Sequence, residues 1–246
     1  MRLTTISLIL AVLLAALIAG CSRKPSEQAP PAEIEKPAIP VETEAPPKEA
    51  VPVLTPEEAA KQKLMTPAAL NERAPDTFRA KFTTTKGDFV IEVTRAWAPN
   101  GADRFYNLVK NGYYNDCRFF RVIDNFMVQF GINGDPALNR VWSQTQFRDD
   151  PVRESNQRGY VTFAMTGMPD SRTTQIFINY RDNAFLDEQR FSPFGRVVEG
   201  MNVVDSFYSQ YQGVPSDNQP RIQAEGNAYL NKEFPRLDYV KSATIL

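Results

Sequence analysis

The chain is 246 residues long, 42% apolar and 23% charged, with 28 basic and 29 acidic side chains, two cysteines and no histidine. The missing histidine excludes Ser-His-Asp and Cys-His catalysis and any metal site built on imidazole, while two cysteines exclude a disulfide-rich scaffold, a zinc ribbon and an iron–sulfur cluster. A net charge of −1 gives no electrostatic reason to expect nucleic acid, and the length leaves room for one ordinary domain plus extensions.

After Arg2 the residues Ile6–Ile18 are almost wholly apolar. At 1.5 Å per residue this run covers roughly 20 Å, short of a ~30 Å hydrocarbon core, so it reads as the apolar region of a signal peptide. It ends Leu17-Ile18-Ala19-Gly20-Cys21, which resembles the bacterial lipobox. That resemblance implies a lipoprotein signal peptide over residues 1–20 and a lipid attached to Cys21. The alternative is an ordinary signal peptide with Cys21 incidental. With Cys21 modified, only Cys117 keeps a thiol, and its neighbours Tyr113, Tyr114 and Phe119 favour burial over reactivity.

Residues 21–75 are expected to form a tether. From Ser22 to Pro75 there are 11 of the 19 prolines, no glycine and no aromatic residue. Such a segment cannot bury enough surface to offset its ordering entropy and is expected to be a disordered, semi-extended spacer. Pro56–Lys63 has helix-forming composition, but disorder is the expectation there too.

Residues 76–246 carry 20 basic and 20 acidic side chains and every aromatic residue of the chain. Phe78, Ala80 and Phe82 alternate, and Phe89, Ile91 and Val93 do so again after Lys86-Gly87, which predicts a β-hairpin. Ala102, Phe105, Leu108 and Val109 follow at helical spacing and Gly112 ends the helix. Cys117–Ile123 and Phe126–Gly131 are expected strands joined by an Asp124-Asn125 turn. Further strands are expected at Tyr160–Met165, Thr174–Asn179, Phe194–Val197 and Asp238–Ile245, with a second helix from Met201 to Tyr208. The pattern suggests a mainly β domain, an antiparallel barrel with helices outside it. Asp149-Asp150 reads as a solvated loop pair. The Asn and Asp residues of 179–187 lack the spacing and closing glutamate of a calcium loop.

Three ordered segments carry a resemblance. Phe119-Phe120-Arg121-Val122-Ile123-Asp124-Asn125-Phe126-Met127-Val128-Gln129 resembles the F-H-R-V-I-x-x-F-M-x-Q signature of cyclophilin-type peptidyl-prolyl cis-trans isomerases. Phe163-Ala164-Met165, followed by Thr174-Gln175-Ile176-Phe177-Ile178, is similar to the family's M-A-N and S-Q-F-F-I segments. Phe185-Leu186-Asp187 and Phe194-Gly195-Arg196-Val197 resemble its W/F-L-D and F-G-x-V. The likeness covers Thr77–Ile245. It implies a closed eight-stranded antiparallel cyclophilin-like β-barrel with two helices, preceded by the tether.

It also implies the chemistry. The X-Pro bond interchanges over tens to hundreds of seconds because of a barrier of ~18–20 kcal/mol. No bond is made or broken, so the reaction needs neither nucleophile nor proton shuttle. It needs an apolar pocket for the ring and a cationic donor for the twisted amide, whose prolyl nitrogen becomes basic. Position by position, the resemblance makes Arg121 the catalytic arginine and Gln129 the glutamine that binds the substrate carbonyl and holds it. Phe126, Met127, Phe177 and Leu186 become the proline pocket. Ala164 and Met165 become the strand that pairs with substrate, and Gln175 lines the adjoining groove. Phe185 stands where many eukaryotic members have tryptophan, which implies weaker cyclosporin binding. Phe191 falls, after a one-residue insertion, where members often have histidine or tyrosine.

Phe120 replaces a common histidine and Met165 a usual asparagine; both departures are expected to alter the substrate rim. Phe130 replaces a glycine and has no evident role. Residues 209–236 read as an inserted loop beside the site with no assigned function. No cofactor or metal is implied. The expectation is a monomeric, lipid-anchored isomerase at the bacterial cell envelope, on the periplasmic face of the outer membrane. Its partners would be X-Pro segments of exported proteins. The alternatives are a catalytically weak chaperone or proline-peptide adaptor, and a structural envelope lipoprotein.

Overall fold

The computed structural model describes residues 54–246. The expected signal peptide, Cys21 and the first part of the tether lie outside the described residues.

One antiparallel sheet carries the fold. Its eight strands are β1 (Thr77–Thr84), β2 (Asp88–Thr94), β3 (Arg121–Ile123), β4 (Met127–Phe130), β5 (Tyr160–Phe163), β6 (Ile176–Asn179), β7 (Pro193–Glu199) and β8 (Val240–Ile245). They lie in the order β3-β4-β6-β5-β7-β2-β1-β8. The expected hairpin is present, with Phe78 opposite Val93, Ala80 opposite Ile91 and Phe82 opposite Phe89, and all six side chains are buried. This is the outcome period-2 alternation dictates when one face of a sheet meets a core.

The sheet is not a fully closed barrel: β3 and β8 are its two edges and share no ladder. The expected strand over Cys117–Ile123 is divided: Arg121–Ile123 pairs with β4, while Arg118 makes an isolated antiparallel bridge to Tyr239. Residues 116–119 cross the gap instead. Asp116 N–H donates to Val240 O (2.7 Å), Phe119 N–H to Asp238 O (2.9 Å) and Val240 N–H to Cys117 O (3.0 Å). Cys117 is buried there, and burial pushes its thiol pKa up, away from reactivity.

The described residues hold seven α-helices rather than two. The expected pair is present as α2 (Pro99–Lys110) and α5 (Met201–Asp205), the latter stopping short of Tyr208. Ala102, Phe105, Leu108 and Val109 of α2 are buried as their spacing predicts. The N-terminus of α2 is held by Asp150, which accepts from Gly101 N–H (2.8 Å) and Asn100 N–H (3.1 Å). Asp150 therefore points inward, and burial raises its pKa despite those donors. Asp149 likewise faces Arg172 and accepts from Asp170 N–H (3.1 Å) rather than facing solvent. Phe130 proves to be core, packed edge-on against Phe82 and Phe119.

The folded body begins before residue 76. Helix α1 (Pro56–Leu64) opens with a capping box in which Thr55 and Glu58 satisfy each other's orphan donors. Leu64 and Ala74 join the main core, and the Trp142 indole N–H donates to Leu64 O at 2.9 Å. Composition concealed this anchor because, among the described side chains of α1, only Leu64 is buried.

The inserted segment is folded as well. After a 3-10 turn over Val214–Asn218 come α6 (Gln219–Glu225) and α7 (Asn227–Glu233). Ile222, Tyr229 and Leu230 build a second small core with Phe120, Ile132 and Leu237. Phe120 is thus a fully buried seat for the insertion and not a residue of the substrate rim.

Candidate active site

The site is one face of three strands. Along β3, β4 and β6 the residues Val122, Val128, Phe130, Ile176 and Ile178 point into the main core. Their neighbours Arg121, Met127, Gln129 and Phe177 must then point to the other face, since side chains alternate. Cross-strand register aligns them: Arg121 opposes Gln129, and Gln129 opposes Phe177. The β3–β4 turn that sets this register places Asn125 at φ 58°, a conformation asparagine tolerates.

Met127, Phe177 and Leu186 form a third apolar cluster, joined by the half-buried Ile123, Phe126, Ala164 and Phe191. Leu186 arrives on the short helix α4 (Phe185–Glu188). A cavity of about 180 Å³ opens onto this cluster, lined by Arg121, Phe126, Met127, Gln129, Ala164, Met165, Phe177, Leu186, Phe191 and Gln219. Phe177 and Phe191 meet edge to face at 5.6 Å, which fixes two of the walls. A larger groove adjoins it, lined by Gln175 and Met165 among others.

At the rim, Arg121 Nη1 donates to Gln129 Oε1 at 3.1 Å, and its guanidinium carbon lies 5.9 Å from the Phe126 ring centroid. Burial pulls the Arg121 pKa below its ordinary value, while the charge of Asp217 opposes that shift. Gln129 Nε2 donates to Gln175 Oε1 at 2.8 Å. Ala164 N–H is already committed to Gln175 O (2.9 Å), whereas the Met165 peptide makes no backbone hydrogen bond among the described residues. Gly131 makes the approach of Gln175 possible, since a Cβ there would lie 2.6 Å from Thr174 O.

The structure therefore brings together nearly all the expected site residues. Phe185 is the exception. Its ring is 49% exposed and stacks on Phe126 (6.0 Å, 24°) from outside, so it supports a wall instead of lining the cavity.

Two groups went unrecognised in the sequence. A buried amide network backs the pocket: Asn183 Nδ2 donates to Phe126 O (2.9 Å), and Asn156 Nδ2 donates to both Asp187 Oδ1 (2.7 Å) and Phe191 O (2.8 Å). Asn183 and Asp187 belong to the 179–187 loop that lacked calcium spacing, and Asn156 joins them from a separate segment. They fix Phe126, Leu186 and Phe191 in place, since buried polar groups that are fully paired make a rigid support. The second is Gln219, from the insertion, which no local pattern singles out.

Comparison with known proteins agrees with this geometry. The family model described as "Cyclophilin type peptidyl-prolyl cis-trans isomerase/CLD" matches residues 79–226. The chain is 37% identical over 143 residues to a peptidyl-prolyl cis-trans isomerase of Acinetobacter baylyi, covering 54% of this chain and 76% of that one. It is 31% identical over 173 residues to peptidyl-prolyl cis-trans isomerase B of Escherichia coli, covering 67% of this chain and 97% of that one. Among solved structures, a cyclophilin type peptidyl-prolyl cis-trans isomerase of Cryptosporidium parvum shares the fold, with a TM-score of 0.52 at 19% identity over 69% of this chain and 98% of that one.

Proposed function

Because this chain belongs to the cyclophilin-type peptidyl-prolyl cis-trans isomerases, we propose that the Arg121-rimmed cavity is its catalytic site and that it acts on X-Pro segments of exported proteins in the bacterial envelope. The observation that carries the site is the arginine–glutamine pair at 3.1 Å on the lip of an apolar cavity.

The proline ring enters between Phe126, Met127, Phe177, Leu186 and Phe191. The residue chain on one side of it pairs with the Met165 peptide. As the acyl side rotates, conjugation is lost and the lone pair of the prolyl nitrogen becomes localised and basic. The Arg121 guanidinium, a donor that stays charged at neutral pH, stabilises that nitrogen more in the twisted state than in either planar one. Gln129 spends one N–H on Gln175 and has a second for the substrate carbonyl. Partial desolvation of Arg121 strengthens its interaction with the developing charge.

The envelope reading is supported by the apolar run ending at Cys21. Lipid on Cys21 and the Pro-rich stretch after it would hold the enzyme near the membrane while leaving its cavity free to reach unfolded segments. Incorporation of radioactive palmitate, lost in Cys21→Ala, tests the anchor. Unchanged incorporation in that variant removes the lipoprotein reading. Isomerisation of a short X-Pro peptide, with Arg121→Ala as control, tests the site.

A further inference from the structure

The inserted segment joins the hydrogen-bond chain of the candidate site through Gln219. Arg121 Nη1 donates to Gln129 Oε1 (3.1 Å), Gln129 Nε2 to Gln175 Oε1 (2.8 Å), and Gln175 Nε2 to Gln219 Oε1 (3.0 Å). The order is forced from one end. A guanidinium has only donors, so Gln129 must turn its oxygen to Arg121 and its NH2 group to Gln175. Gln175 then accepts on its oxygen and donates onward, and the acceptor it meets is Gln219 Oε1.

Gln219 is well placed to be that acceptor. It is the first residue of α6, and Asn218 caps this helix by accepting from Arg221 N–H (3.2 Å). One turn on, Ile222 is fully buried against the small core seated on Phe120, the residue next to Arg121. Asn139 Nδ2 also donates to Gln223 O at 3.3 Å. The end of the amide chain is therefore seated on Phe120, the residue just before the strand that carries its beginning.

Resting on the isomerase reading of the cavity, we propose that Gln219 is a positioning residue. Its side-chain oxygen fixes the orientation of Gln175 and Gln129, and so holds the Arg121 guanidinium at the rim. The inserted segment then serves to complete the catalytic face. Aligned amide dipoles in series polarise one another, so losing the terminal acceptor loosens every link.

The test compares kcat and KM for a short X-Pro peptide in the full chain, purified in detergent, as wild type, Gln219→Met and Gln219→Glu. Methionine keeps the shape and replaces the amide oxygen by a weakly accepting sulfur, whereas glutamate keeps a strong acceptor. Gln219→Met is expected to lower kcat by roughly three- to tenfold with KM changed less than twofold, and to shift the Gln129 and Gln175 side-chain amide resonances. Gln219→Glu is expected to stay within about twofold of wild type, since a carboxylate accepts at least as well as an amide oxygen. Wild-type kcat in Gln219→Met, or an equal loss in both variants, overturns the proposal. Absence of catalysis in the wild type overturns the isomerase reading of the cavity itself, and this proposal with it.

Discussion

Arg121 and Gln129 are backbone partners across the β3–β4 ladder, and the same pair meets again through its side chains, Nη1 to Oε1, at 3.1 Å. A cross-strand pair on the solvent face of a short hairpin fixes a long, flexible arginine with little further support, because the glutamine is itself buried and held by Gln175. Replacing Gln129 with leucine removes a hydrogen bond to a charged donor, worth about 1.5–3 kcal/mol. The expected result is a fall in kcat/KM of about tenfold or more with little change in urea midpoint. Steady-state kinetics beside a denaturation curve checks both parts.

The pocket makes a different prediction. Leu186 is 5% exposed, touches the Met127–Phe177 cluster and contributes no polar atom to the reaction. Leu186→Ala is expected to cost about 2 kcal/mol of folding stability, at the lower end for buried leucines because the cavity beside it is already open. Its kinetic effect should fall mainly on KM, since the lost contact holds the proline ring equally in planar and twisted states.

Acid sensitivity should come in part from Asp103. Burial alone would raise its pKa, but the Arg95 fork (2.8 and 2.8 Å) and the Ala74 N–H (2.8 Å) outweigh burial and hold the carboxyl below its ordinary value. A carboxylate favoured in the folded state adds stability above its unfolded pKa of about 3.9, and that stability is lost as pH falls through the lower folded value. The difference in unfolding free energy between wild type and Asp103→Asn is therefore expected to be about 1 kcal/mol at pH 7 and to shrink below pH 4. Urea titrations at several pH values measure it.

Helix α1 should matter for stability and not for turnover. Leu64 is 4% exposed in the main core, and its carbonyl accepts from the Trp142 indole at 2.9 Å. It lines no part of the cavity. Leu64→Ala is expected to cost about 2–3 kcal/mol, with kcat/KM at low temperature unchanged. Thermal unfolding and a peptide assay on the same preparation separate the two.

The face that carries the candidate site was legible in the sequence for a physical reason. Residues at Arg121, Met127, Gln129 and Phe177 alternate with core residues, and period-2 alternation leaves only one face for them. Their order along the chain also carried the family resemblance. What escaped was long-range and polar. Gln219 sits in an insertion with no pattern of its own, and only the seating of Ile222 on Phe120 brings it to the rim. Leu64 lies in an aromatic-free, proline-rich stretch, and its anchor is a hydrogen bond to a backbone carbonyl, which composition does not encode. The incomplete closure of the sheet escaped because Cys117–Ile123 reads as one strand but divides, its first half pairing with residues 238–240 and its second with β4. The supporting roles of Asn156 and Asn183 left no local signal because Phe191 O and Phe126 O, which they hold, lie 35 and 57 residues away.

The central claim is that a single positioned guanidinium stabilises the twisted amide. It is tested most directly by the cis-to-trans rate of a short X-Pro peptide with the purified full chain and with Arg121→Ala. Loss of a preorganised donor to the transition state predicts a fall in kcat/KM of about 100-fold, with peptide binding within severalfold of wild type. Equal rates for the two proteins, whether both catalysed or both at the uncatalysed rate, would contradict it.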